Sequence, residues 1–251
     1  MNNILQTQKI NKSYVSPVET LTVFKDLDFS LEKGKSLFLF GPSGCGKSTL
    51  LNLIAGFEGP TSGHLRVDDR VVTAPGPDRG VVFQEAALFP WLTVWENVVF
   101  GPKVQGMARG EYEDRAHEMI KIVGLEDFKD HLPVQLSGGM RQRVGIARIL
   151  TLGSRVLLMD EPFGALDAQT RLTMQELLLT VWQQLKPTII FVTHDIDEAI
   201  FLASTVYVMS ARPGRIATRI DVPLNRPRTV ADTASEKFAE LKLEILNLIR
   251  H

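Results

Sequence analysis

The chain has 251 residues, 44% of them hydrophobic, with 28 Lys and Arg against 29 Asp and Glu for a net charge of −1. That length and apolar content suit one large α/β domain with a smaller subdomain, and the near-neutral balance argues against a nucleic-acid partner, which favours a basic face. A single cysteine excludes internal disulfides and fits a reducing cytosol.

The opening MNNILQTQKINKSY lacks the basic start and apolar core of a secretory signal. The apolar runs SLFLF, RVLLM and TIIFVT stop well short of the ~20 residues that a membrane-spanning helix needs. A soluble chain is expected, one that can still dock on a membrane protein.

LDFSLEKGKSLFLFGP places a Lys-Gly turn between two β-like runs, the second ending in a glycine-rich loop. That loop, GPSGCGKST, spans Gly41, Pro42, Ser43, Gly44, Cys45, Gly46, Lys47, Ser48 and Thr49 and matches G-x-x-x-x-G-K-[ST]. The glycines let successive backbone N–H groups turn inward around a β-phosphate. Lys47 supplies charge to the β- and γ-phosphates, Ser48 offers a hydroxyl to Mg²⁺, and the following helix adds the positive end of its dipole. Cys45 is either a permissive loop position or a thiol activated at a helix start.

HLRVDDRVV predicts a small hairpin around Asp68 and Asp69. From about Thr93 to Leu152 the pattern turns helical. EYEDRAHEMIKIVGL keeps Ala116, Met119, Ile120 and Val123 at helical spacing, with Gly124 as the C-terminal stop. LSGGMRQRVGIARIL then sets Ser137, Gly138 and Gly139 at a helix start, where bared N–H groups attract an anion.

RVLLMDEPFGALD is an apolar strand ending in two carboxylates, whose side chains alternate between faces. Asp160 can serve a Mg²⁺ sphere beside Ser48, and Glu161 can polarise water for in-line attack on a γ-phosphate. AQTRLTMQELLLTVWQQL reads as a helix, and PTIIFVTHD as a further buried strand ending in His194, placed to donate to the γ-phosphate. Strand, helix and strand at this spacing predict a parallel sheet with right-handed crossovers. His64, His117, His131 and His251 show no metal-ligand spacing. SEKFAELKLEILNLIR carries Phe238, Leu241, Ile245 and Leu248 on one stripe, a helix that either covers the core or meets a partner.

In this order the motifs resemble the ATP-binding subunit of an ABC transporter. The resemblance rests on the phosphate loop, Gln84 in VVFQEAALFPWLTVWENV, LSGGM, LLMDEP, GALD and VTHD. It implies a P-loop NTPase fold of the ABC ATPase type: a RecA-like parallel-sheet core, an antiparallel β subdomain and an inserted α-helical subdomain. The nucleotide-binding domain is expected over 4–235, with the helical subdomain at about 93–152, and a C-terminal helix over 236–251.

The resemblance also assigns roles. Gln84 is the Q-loop glutamine that contacts Mg²⁺ and the lytic water and senses the membrane partner. Asp167 is the D-loop aspartate that communicates across a dimer. Tyr14 takes the aromatic position that stacks on adenine, with Phe24 or a core role as the alternative. Ser137, Gly138 and Gly139 face the γ-phosphate of ATP held by a second subunit, so two ATP molecules lie between head-to-tail copies. Met140 departs from the commonest signature, which has glutamine there, and lacks that amide's polar contacts.

PDRGVVFQEAALFPWLTVWENVVFGP and VMSARPGRI resemble bacterial importers of nitrate, taurine and alkanesulfonates, and related thiamine-precursor uptake systems. Phe89, Trp91, Leu92 and Trp95 either line a groove for a permease helix or form subdomain core. About 90 residues separate Lys47 from Ser137, room for a helical subdomain but not for the long coiled coils of soluble repair or chromosome ATPases. The expected partners are a second ATP-binding subunit, separate permease subunits and, indirectly, a periplasmic or lipid-anchored solute-binding protein, with the chain at the cytoplasmic face of the inner membrane. The alternatives are an exporter or lipid-transport ATPase with the same chemistry, or a soluble non-transport ABC ATPase.

Overall fold

A computed structural model describes residues 3–210 and 213–249. The chain forms two compact units, one of residues 1–76 and 185–251, the other Pro77–Gln184.

The first unit opens with strands β1 (Asn3–Val15), β2 (Thr20–Leu27) and β3 (Ser30–Glu32), then β4 (Ser36–Phe40). Helix α1 (Lys47–Ala55) follows, and then β5 (Ser62–Val67) and β6 (Arg70–Val71). β1 pairs antiparallel with β2, β3 and β5, and β5 with β6. The β5–β6 turn is the expected hairpin: Asp68 and Asp69 both take positive φ, 50° and 62°, as a two-residue turn matched to strand twist requires. The turn at Lys33-Gly34 joins two different sheets, because β3 pairs with β1 while β4 does not.

The second unit begins with β7 (Arg79–Val82) and three helices, α2 (Val94–Val104), α3 (Arg109–Ile122) and α4 (Gly138–Leu152). It continues through β8 (Val156–Asp160) to α5 (Ala168–Leu185). Thr93 and Glu96 form a capping box at the start of α2: the Glu96 N–H donates to Thr93 Oγ1 at 3.2 Å, and the Thr93 N–H to Glu96 Oε2 at 2.8 Å. Ala116, Met119, Ile120 and Val123 are all buried, as their spacing predicts, and Gly124 ends α3 at φ 66°. α2, α3 and α4 pack on one another, and β7 runs parallel to β8.

The chain returns to the first unit with β9 (Thr188–Val192), α6 (Ile196–Leu202), β10 (Thr205–Met209), β11 (Ile216–Asp221) and α7 (Glu236–Ile249). β4 lies between β9 and β10 and is parallel to both. β4, β9 and β10 are buried at every residue, the signature of parallel strands covered on two faces. β11 closes this edge antiparallel to β10.

Arg228 caps α6 from within the core. Its Nη1 donates to the carbonyls of Ile200, Phe201 and Ala203 at 2.9, 3.0 and 2.7 Å, where the helix leaves acceptors unsatisfied. α7 packs on α6 and β10. Phe238, Leu241 and Ile245 are buried, each stabilising the unit by about 1.5–3 kcal/mol. The fourth member of the predicted stripe departs: Leu248, near the end of the helix, is 38% exposed. Residues 250–251 of the expected terminal helix, and Ala211 and Arg212 of VMSARPGRI, lie outside the described residues. No helix among the described residues is long and apolar enough to cross a membrane.

Candidate functional site

β4 and β9 run side by side with Leu39 opposite Val192, so the loop from Gly41 and the segment Thr193-His194 leave the same sheet edge. That carboxyl edge is where open α/β sheets bind ligands. The loop curls into α1, whose first intrahelical bond runs from the Leu50 N–H to the Gly46 carbonyl at 2.8 Å. Gly46 has φ 104°, and a Cβ there would sit 2.6 Å from Phe24 Cζ. Phe24 is fully buried beneath the loop, which gives it a core role.

Lys47 Nζ donates to the carbonyls of Gly41 at 2.8 Å and Pro42 at 3.1 Å, arching back over the loop. Pro42, Ser43, Gly44 and Ser48 are exposed, whereas Gly41 and Cys45 are buried. With 1% exposure, Cys45 is a packed member of the loop rather than an accessible thiol. His194 is exposed, and beyond it the Asp195 carboxylate caps α6 by accepting from the Glu198 N–H at 3.1 Å.

Tyr14 stands near the loop and is 40% exposed. Its hydroxyl donates to Glu58 Oε2 at 2.6 Å, and it also hydrogen-bonds Thr49. Lys12 Nζ pairs with the same Glu58 oxygen at 2.9 Å and lies 4.7 Å from the Tyr14 ring centroid. The Tyr14 hydroxyl and Lys12 hold the Glu58 carboxyl below the usual range, while burial and then Glu58 push the Tyr14 phenol up. Lys12 and Glu58 thus fix an aromatic ring beside the Gly41–Thr49 loop, a pair that no sequence motif marks.

In the second unit Val82 of β7 lies opposite Met159 of β8, so Phe83-Gln84 and Asp160-Glu161 leave adjacent strand ends. Gln84 is exposed, and Asp160 and Glu161 are partly buried. Glu161 takes a left-handed backbone, φ 44°, uncommon for a residue with a Cβ. Gln84 Nε2 and Glu161 Oε2 approach the same backbone point, lying 3.3 and 3.7 Å from where a Cβ on Gly164 would sit.

Ser137 is the N-cap of α4, its Oγ accepting from the Met140 N–H at 3.3 Å. That N–H is therefore satisfied within the helix. Gly139 is buried against α5, where a Cβ would fall 2.6 Å from Thr170 Cγ2. Ser137, Gly139, Met140, Arg143 and Thr170 line a cleft of about 310 Å³. Asp167 caps α5, accepting from the N–H groups of Gln169 at 3.1 Å and Thr170 at 3.0 Å. Hydrogen bonds led by those from Thr170 lower its pKa.

Between these parts sits Gln142, 3% exposed, whose Nε2 donates to the carbonyls of Phe83, Gln84 and Pro162 at 3.0, 2.6 and 2.8 Å. The sequence did carry a signal for it: Gln142 falls on the buried stripe with Gly139 and Ile146, where a polar side chain must find partners. The aromatic segment is mixed. Trp91 is 71% exposed and Phe100 39%, whereas Phe89, Leu92 and Trp95 are partly covered. The Phe89 ring lies 4.5 Å from Phe100 and 5.8 Å from Trp91, centroid to centroid.

The sequence pattern of the ABC transporter family matches residues 24–164. The nitrate import ATP-binding protein of Synechocystis sp. is 45% identical over 252 residues, covering 98% of this chain and 95% of that protein. A taurine import ATP-binding protein of Pseudomonas aeruginosa is 42% identical over 248 residues, covering 97% and 94%. Among solved structures, cbiO1 of Clostridium perfringens, part of the ABC transporter complex cbiONQ, has a TM-score of 0.80 at 27% identity, covering 99% of this chain and 98% of its own. A dimeric ATP-binding cassette in a post-hydrolysis state with ADP and phosphate has a TM-score of 0.73 at 31% identity, covering 88% and 100%. The chain belongs to the ABC transporter family, as one of its ATP-binding subunits.

Proposed function

We propose that the chain hydrolyses ATP to drive uptake of a small solute, nitrate, taurine or another sulfonate, through separate permease subunits at the cytoplasmic face of the inner membrane. The observation that carries this reading is 45% identity, across nearly the whole chain, to a nitrate import ATP-binding protein. The organisation proposed is a nucleotide-binding domain over 4–235, with a helical subdomain at about 93–152, and a terminal helix over 236–251.

The phosphate loop, Gly41 to Thr49, holds the phosphates, with Lys47 exchanging its loop carbonyls for phosphate oxygens and Tyr14 stacking on adenine. Glu161 accepts the proton of the attacking water, Gln84 orients that water, and His194 donates to the γ-phosphate. Ser48, Gln84 and Asp160 offer a hydroxyl, an amide oxygen and a carboxylate, a hard-oxygen set that suits Mg²⁺. Bound there, Mg²⁺ supplies neutralising charge to the phosphates.

Ser137, Gly138 and Gly139 act on ATP held by a second copy, and Asp167 reports across that junction. ATP thereby closes a head-to-tail dimer and hydrolysis opens it. The exposed Trp91 and Phe100, beside Phe89, offer the apolar surface for a permease helix. A solute-binding protein delivers cargo to the far side of the permease.

The test is reconstitution with the neighbouring permease and binding protein in vesicles. Nitrate, taurine and alkanesulfonates are offered one at a time, with ATPase rate and uptake both followed. Solute-stimulated turnover with inward transport is expected, whereas outward transport would replace this reading with an exporter.

A further inference from the structure

Helix α4 carries Ser137 at its first turn, yet three of its residues grip a segment far away in sequence. Gln142, Gly145 and Arg148 repeat every three positions and so share one face. The Gln142 amide donates to Phe83, Gln84 and Pro162. Arg148 Nη1 donates to the Ala87 carbonyl at 3.0 Å and Nη2 to that of Ala86 at 3.4 Å. Between them the loop runs alongside Gly145, where a Cβ would meet the Ala86 carbonyl oxygen at 3.6 Å, an ordinary packing distance.

The Gln142 geometry is specific. Its two N–H hydrogens serve three carbonyls, so at least one is shared, and the side chain is almost wholly withdrawn from water. Turning the amide over would aim Oε1 at three carbonyl oxygens, which fixes its orientation. Oε1 has no hydrogen-bond partner among the described residues, so within them the side chain is held through its nitrogen. The three carbonyls belong to Gln84, its predecessor, and the residue directly after Glu161.

We propose that Gln142 is a positioning residue that locks the backbones carrying Gln84 and Glu161 to the helix headed by Ser137. One amide then sets the separation of the two side chains that face the attacking water. It also makes displacement of the Gln84 loop a displacement of α4, so the segment that senses the permease moves the group that meets the second copy's nucleotide. This inference rests on the ATPase reading for its kinetic consequence, but the clamp itself stands on geometry alone.

The test compares the full chain with Gln142→Met, which keeps the volume and removes both donors. Amide hydrogen exchange is expected to accelerate locally at 83–87 and 163–164, while the rest of the chain keeps its wild-type pattern. Steady-state kcat is expected to fall about 10- to 100-fold, as for misplaced catalytic groups, with KM for ATP held within about twofold. In a Gln84→Ala background the same substitution is expected to cost much less, because coupled residues are non-additive.

Wild-type exchange at both segments, or an equal cost with and without Gln84, would overturn the proposal. Should Gln142→Met not fold, Gln142→Lys replaces it, since an ammonium offers three donors to three carbonyls. Turnover within about threefold of wild type is then expected, and a folded Lys variant slowed tenfold or more would count against the clamp. If the wild-type chain itself turns over no Mg–ATP, the ATPase reading fails, while the exchange comparison still decides the clamp.

Discussion

Lys47 Nζ lies 2.8 Å from the carbonyl oxygen of Gly41, so the ammonium occupies the loop's own acceptors. In the proposed site nucleotide phosphate displaces these neutral acceptors, because its negative charge adds a Coulombic attraction to the ammonium that a carbonyl lacks. Lys47→Ala should therefore weaken ATP binding about 10- to 100-fold, the equivalent of roughly 1.5–3 kcal/mol. Titration with a fluorescent ATP analogue measures it, and unchanged affinity would remove Lys47 from phosphate recognition.

Glu161→Gln preserves length and the left-handed backbone at φ 44° while removing the proton acceptor. Hydrolysis should fall about 10²- to 10⁴-fold, the range for loss of a general base. ATP affinity should persist, and light scattering should report a long-lived dimer. Turnover near wild type would exclude Glu161 as the base.

Ser137 has two proposed duties that one substitution can separate. As N-cap it accepts from the Met140 N–H, a role Asp fills equally well. Toward a second copy's phosphate, Asp brings like charge. Ser137→Asp should keep the thermal midpoint but lower hydrolysis at least tenfold or so, without changing ATP affinity of the monomer. Mixing it with Lys47→Ala should restore part of the activity, because one composite site then has intact halves. No recovery at any mixing ratio would argue against shared sites, provided one site suffices for turnover.

Glu58 gives the pH dependence. Its folded pKa is lowered by the Tyr14 hydroxyl and by Lys12, so its stabilisation is present above the ordinary Glu range and is lost as pH falls through the lower folded value. Its partial exposure screens the effect, which keeps it modest. The difference in thermal midpoint between wild type and Glu58→Gln should hold near neutral pH and shrink below about pH 4. A gap independent of pH would show that hydrogen-bond shape, and not charge, anchors Tyr14.

Local rules made much of the fold legible. Asp68-Asp69 announced its hairpin, Gly124 its helix end, and SLFLF with GPSGCGKST a strand, loop and helix, because each signal lies within a few residues of its effect. Gln142, Glu58 and Arg228 were not read, since their partners include groups 20 to 59, 44, and 25 to 28 positions away. Leu248 failed for the opposite reason: periodicity marks a stripe but not where the surface beneath it ends. The motif residues each found a local place, yet Ser137 and Asp167 are also helix caps, a dual use that no spacing reveals.

Cys45 is the chain's sole thiol and is 1% exposed, packed within the loop proposed to receive phosphate. Alkylation must wait for that loop to lift, so the labelling rate is a clock for its opening in the unmodified chain. Added ATP should slow the clock, giving a native reporter of loop dynamics that needs no engineered probe.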